Sequence, residues 1–249
     1  MTSSRIVVSQ PMYFPWVGQL QQVRLSDAFV FYDDVQFARG FFNRVQIKTQ
    51  QGIRWLTVPL MKWKRGQLIC EVEIDNFQDW KRSHRDQLKQ AYAGAPFFAD
   101  MIALVDEVFA RDYVIVGELA EASTKAMVGY YSSITAGTQF LRSSELKVPG
   151  ESSQRLIDIC MHLGGSQYLT GHGARNYLDH IAFEQKGIAV EYINYDLPTY
   201  PQAHGEFTPY VSALDMIANC GRDGEGLIRG RAMQWRDFIT QPIKTENNI

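Results

Sequence analysis

Adjacent carboxylates at Asp33 and Asp34 end an apolar run, and Gln36, Arg39, Asn43, Arg44 and Lys48 follow within fifteen residues. A carboxylate drawn out of water has its pKa raised toward neutrality, which suits a general base. Arg44 offers a planar fork for a carboxylate or phosphate. Together these residues could hold an anionic substrate beside a proton carrier; equally, they could form a structural ion pair where a strand leaves a sheet. His84 is a further candidate base, set four residues after Trp80 and therefore on the same face of a helix.

Two loops carry other candidates. Gln10, Tyr13 and Trp16, with Gly18 and Gln19 behind them, follow a short apolar run. A polar side chain at a strand's end, followed by aromatic residues, is suited to orienting and stacking on a small molecule, although the same rings could simply plug the sheet. The segment Gly171-His172-Gly173 lies between an apolar run and a helical pattern, where exposed N–H groups would form an anion site. Its Gly-x-Gly lacks the third glycine of a dinucleotide fingerprint.

The elements that must position these groups follow from periodicity. Arg5–Ser9 and Ala28–Tyr32 read as buried strands around a proline-containing loop and a helix from Val17 to Leu25, which makes a βαβ unit. Asn43–Lys48 and Ile53–Leu60 flank the Gly52 turn as a β-hairpin, and the alternation in Leu68–Ile74 predicts a strand. Helices are expected over Phe77–Ala93, Phe97–Phe109 and Val114–Tyr131. A polar stretch near 143–150 suggests a soft internal boundary within one α/β unit spanning 1–249. Beyond it lie a helix over Ser153–Leu163, a strand over Gln167–Thr170, a helix over Ala174–Gln185 and a strand over Ile188–Tyr195. Helices over Ser212–Ala218 and Gly226–Ile239 follow a proline-rich loop, and the last ten residues read as a frayed tail. The expected fold is α/β, with a parallel or mixed sheet of βαβ units, flanking helices, a β-hairpin and a helical C-terminal segment.

Composition narrows the function. Of 249 residues, 45% are hydrophobic and 12% aromatic, so a folded core is expected; the net charge of −2 gives no general drive toward nucleic acid. Three widely spaced cysteines and the absence of a signal-peptide core point to reduced thiols in the cytoplasm, and no apolar run is long enough to span a membrane. No Gly-x-x-x-x-Gly-Lys-Ser/Thr, His-Glu-x-x-His or Gly-x-Ser-x-Gly motif is present, so neither metal nor cofactor is expected.

Several of these segments carry a resemblance. Gln10-Pro11-Met12-Tyr13-Phe14-Pro15-Trp16, Phe29 to Gln36 and Phe42 to Lys48 are similar to the N-terminal signature of the WbqC-like proteins. The likeness continues through Leu56 to Pro59, Trp80 with His84, Pro96 to Phe98 and Tyr168 to Ala174, ending near Asp215. It implies bacterial surface-polysaccharide chemistry: a transferase moving an acyl or aminoacyl group from a carrier-bound thioester to an amine such as an amino sugar, with an acyl carrier protein as candidate partner. In that picture Arg44 and Lys48 hold an anionic group, and Asp33 or His84 takes the proton of the attacking amine. The opening is also distantly similar to class I nucleotidylyl transferases, whose His-x-Gly-His is replaced here by Trp16-Val17-Gly18-Gln19. A non-catalytic ligand-binding scaffold is a third reading.

Overall fold

A computed structural model describes residues 4–135 and 137–241; the tail expected at the C-terminus lies outside them from residue 242 onward. Ile6, Val7 and Val8 send apolar side chains to both faces of β1 (Arg5–Ser9), as a strand covered on both sides requires. The chain continues through α1 (Val17–Arg24), β2 (Ala28–Phe31) and the hairpin strands β3 (Arg44–Thr49) and β4 (Gly52–Thr57), with Gly52 supplying the positive φ of +100° at the turn. Helices α2 (Trp80–Tyr92), α3 (Phe98–Phe109) and α4 (Val116–Tyr130) follow, then β5 (Gln139–Arg142), α5 (Ser143–Leu146) and α6 (Ser152–His162). The remainder comprises β6 (Gln167–Thr170), α7 (His180–Gln185), β7 (Ala189–Asp196), α8 (Leu214–Cys220), β8 (Arg229–Gln234) and α9 (Trp235–Thr240).

The expected α/β class is what folds. Six strands form one sheet in the order β5-β2-β1-β6-β7-β8, all parallel except β8, and β3-β4 form a separate antiparallel pair. Strand β1 is hydrogen-bonded to β2 on one side and β6 on the other, so residues before and after 143–150 share the sheet. Alternate residues feed two cores. Val7, Phe29, Phe31 and Leu169 pack with α1, α4 and the layer of α2, α3 and α8 behind them. Ile6, Val8, Val30 and Tyr168 pack with α6, α7 and α9. No described helix is long and apolar enough to cross a membrane.

Three expectations are corrected. Leu68–Ile74 is not a strand; it makes a 3-10 turn at Ile69–Glu71 flanked by isolated bridges from Leu68 to Gln36 and from Ile74 to Leu60. The helix expected from Ala174 begins at His180, and His172–Asn176 is a 3-10 turn. The helix expected over Gly226–Ile239 is half strand: Arg229–Gln234 pairs antiparallel with β7, and only Trp235–Thr240 is helical. Strand β5, paired with β2, was not anticipated.

Helix α1 is buried along almost its whole length, Gln19, Gln21 and Gln22 included. Its Gly18 lies under the indole of Trp16: a Cβ there would sit 2.3 Å from the ring. Trp16 is itself packed on Tyr195 and Tyr210, at 5.0 and 6.0 Å between ring centroids. Gly18→Ala is therefore expected to lose stability although alanine favours helix by about 1 kcal/mol, because displacing a packed ring costs roughly 1–3 kcal/mol. Thermal unfolding checks this; a raised Tm would mean the indole swings aside freely.

Candidate active site

The carboxyl end of β2 delivers Asp33 and Asp34 onto the start of α5. Asp33 accepts from the Ser143 and Ser144 hydroxyls (3.1 and 2.7 Å) and from the Ser144 N–H (3.0 Å). Asp34 accepts from Ser143 and pairs with Arg155 of α6, whose Nε donates to the Val148 carbonyl and whose guanidinium lies over Tyr32. The paired aspartates thus have partners that the sequence reading did not name; neither contacts Arg44.

Beside Asp33 is a chamber of about 200 Å³, lined also by Cys70, Glu118, Glu121, Arg142 and Ser144. It adjoins a groove of about 920 Å³ between α3 and α4, and the two share Glu118, Glu121 and Arg142. Arg142 Nε bonds Glu121 at 2.5 Å, and Lys125 reaches the other oxygen of Glu121 at 2.6 Å. Burial and the neighbouring carboxylates of Asp33 and Glu71 push the Cys70 thiol up to about 11, so it stays protonated near neutrality. Cys160, at about 12 through burial, is equally inert.

Tyr13 and His84 meet in the core. The Tyr13 hydroxyl is 2.9 Å from His84 Nδ1, and His84 Nε2 is 3.1 Å from the Thr57 carbonyl. Since a carbonyl only accepts, Nε2 carries the proton and Nδ1 accepts from the phenol. Burial lowers His84 to about 4 and raises Tyr13 well above the usual phenol, so both are neutral at pH 7. Thr57 pairs with Arg44 across the hairpin, which brings Asn43 and Arg44 to the same neighbourhood. Asn43 donates to Val58 O at 3.1 Å, Arg44 lies 4.3 Å over Trp55, and Asn43 Oδ1 and Arg44 Nε are buried without a hydrogen-bond partner.

Lys48 is turned inward. Its ammonium bonds Gln202 Oε1 (2.9 Å) and the carbonyls of Gly205 and Glu206, which pins the proline-rich loop onto β3. Gln202 also donates to Asp215, whose carboxyl is held above its usual range by burial. Trp16, His172 and Gly171 gather at Tyr195. Trp16 packs on it, His172 lies 5.0 Å from it and donates from Nε2 to Ile193 O (2.8 Å), and a Cβ on Gly171 would be 3.1 Å from its hydroxyl. Gly173 is open, and Gln10 contributes its carbonyl to Gln19 Nε2 at 3.1 Å.

Most candidates therefore form three groupings: Tyr13 with His84, Asn43 and Arg44; Asp33 with Asp34; and Trp16 with Gly171 and His172; Lys48, Gln10 and Gly173 stand outside them. The chamber holds Asp33 but none of Tyr13, Trp16, Asn43 and Arg44. Sequence reasoning missed Glu118, Glu121, Arg142 and Ser144. Two acids three residues apart on α4 were the available signal, since that spacing puts them on one face. Among the described residues no group of three or more His, Cys, Asp or Glu could hold a metal ion.

A mostly parallel six-stranded sheet with helices on both faces defines an α/β protein, and its chamber beside Asp33 lies at the carboxyl end of β2. The chain belongs to the WbqC-like protein family, whose model matches residues 10–225. It is similar to the uncharacterized protein Rv1507c of Mycobacterium tuberculosis, at 29% identity over 228 residues, which is 90% of this chain and 97% of that protein. No solved structure matches the chain.

Proposed function

We propose that this protein transfers an acyl or aminoacyl group from an activated thioester to an amine, such as that of an amino sugar, in the chamber beside Asp33. The observation carrying this reading is the gathering of Asp33, Glu118 and Glu121 with Arg142 and Ser144 around about 200 Å³ of space that adjoins a longer groove. Carboxylates attract the ammonium form of an acceptor; one of them first takes a proton to free the nitrogen lone pair, the neutral amine attacks the thioester carbonyl, and the second N–H proton passes to the departing sulfur. The new C–N bond forms, the carbonyl oxygen becomes an oxyanion held by the Arg142 guanidinium, and collapse expels the thiol with a proton. An amine nucleophile needs no acyl-enzyme, which suits the protonated thiols of Cys70 and Cys160. Three free cysteines suit a reducing, cytoplasmic compartment.

Turnover against a panel of acyl and aminoacyl thioesters with amino-sugar acceptors tests the reading. Asp33→Asn and Arg142→Met should each lower kcat/KM about a hundredfold with the fold intact. Unaltered turnover in both variants rules out this chamber. One observation favours a second reading, nucleotidylyl transfer: the strand order reverses between β1 and β6, next to the start of α1. There, ATP with magnesium should raise Tm; no shift removes that reading. Ligand binding with no turnover of any thioester would favour a scaffold.

A further inference from the structure

Residues 35–70 contain seven cations (Arg39, Arg44, Lys48, Arg54, Lys62, Lys64 and Arg65) and no carboxylate, in a chain whose net charge is −2. The other 18 cations and 27 carboxylates leave −9 elsewhere, so the charge is sharply divided. Lys48 is bonded inward, but the other six are exposed or half-exposed and none forms an ion pair among the described residues.

Two runs of aromatic contacts, joined through the adjacent residues Phe41 and Phe42, connect the segments that bear most of these cations. Trp63 packs on Phe37 (5.0 Å), Phe37 on Phe42 (5.9 Å), neighbouring Phe41 on Trp55 (5.7 Å), and Trp55 lies under Arg44. This seam ties the turn bearing Lys62, Lys64 and Arg65 to the hairpin. Apolar side chains stand exposed along it: Ile53 at 45%, Met61 at 39% and Trp55 at 36%. Protein interfaces are enriched in this mixture of Trp, Met and Arg. Lys62, Lys64 and Arg65 also border a cleft of about 650 Å³ whose far side carries Gln67, Glu71 and Glu73. Glu71 follows Cys70, a wall of the reaction chamber, in the same 3-10 turn.

We infer that this cationic, aromatic-seamed face of residues 35–70 docks an acidic protein partner beside the chamber. Arg54 turns to the opposite side of the hairpin, toward Gln87 and His204, which leaves Arg39, Arg44, Lys62, Lys64 and Arg65 for this face. The choice of partner class follows from charge: these five cations, without an ion-pair partner among the described residues, complement a compact acidic domain, while the −9 over the rest of the chain repels a long polyanion such as nucleic acid. That the partner delivers the thioester rests on the reaction proposed above.

The test uses the full chain, holo acyl carrier protein as the acidic probe, and a single-stranded oligonucleotide and anionic phosphatidylglycerol vesicles as competitors. Titration calorimetry should detect carrier binding that weakens about tenfold between roughly 50 and 300 mM salt. The triple variant K62E/K64E/R65E should bind about tenfold more weakly while unfolding at the same temperature and turning over a small pantetheine thioester normally. Absent carrier binding, binding indifferent to the triple reversal, or tighter capture of oligonucleotide or vesicles would overturn the assignment. Carrier binding without turnover of any thioester would uphold this surface and sink the reaction; small-thioester turnover without carrier binding would do the reverse.

Discussion

Replacing Arg155 with alanine should lower stability by about 3 kcal/mol, a fall in Tm of roughly 6–12 °C for a chain of this size. The side chains of Arg155 and Asp34 are only 9% and 18% exposed, so water screens the pair little. Truncation leaves Asp34 with Ser143 alone and strips the cation from the face of Tyr32. It also frees the Val148 carbonyl at the entry to α6. The double variant Arg155→Met with Asp34→Leu should recover most of the loss, because removing both charges ends the desolvation penalty that removing one exposes. Melting curves for the single and double variants decide the matter. An unchanged Tm in the single variant would mean that the pair contributes nothing to the fold.

The second large effect is acid sensitivity set by His84. Burial lowers the imidazole from its ordinary 6.5 to about 4, so the unfolded chain takes up a proton below 6.5 while the folded chain refuses it until about 4. Stability is unaffected by this group above pH 7, falls as pH drops from 6.5 to 4, and loses nothing more below that. The total is on the order of 3 kcal/mol, with a limiting slope of about 1.4 kcal/mol per pH unit. Asp215 works in the opposite sense, since burial raises its pKa and the native state retains its proton to higher pH. It is common to wild type and variant, so it cancels in their difference. Urea unfolding of wild type and His84→Gln across this window should give a steeper wild-type slope by up to one proton; parallel curves would show that the folded protein admits a charge at His84 freely.

How far the sequence foretold the molecule depended on how local each signal was. β1, β2, β6 and β7 are short apolar runs that need cover on both faces, and their positions were readable to within a residue or two. β5 and β8 were not, because Gln139–Arg142 and Arg229–Gln234 become strands only by joining β2 and β7 from far away in the chain. At the site, Asp33 and Asp34 stood out as paired charges on an apolar background. Their serine and arginine partners arrive more than a hundred residues later, on α5 and α6, and no spacing rule reaches that far. The Tyr13–His84 contact was hidden likewise by a separation of 71 residues.

The two strands met only in the structure also govern how the protein behaves in a crowd of its own copies. A bare sheet border is a template for another chain, and proteins avoid that fate with short or charged border strands. Here one border strand has four residues and turns at once into a helix, and the other carries exposed Arg229 and Arg231. Neither offers a long, flat, uncharged run for intermolecular pairing, so the ladder of six strands ends where it is and does not propagate into fibres.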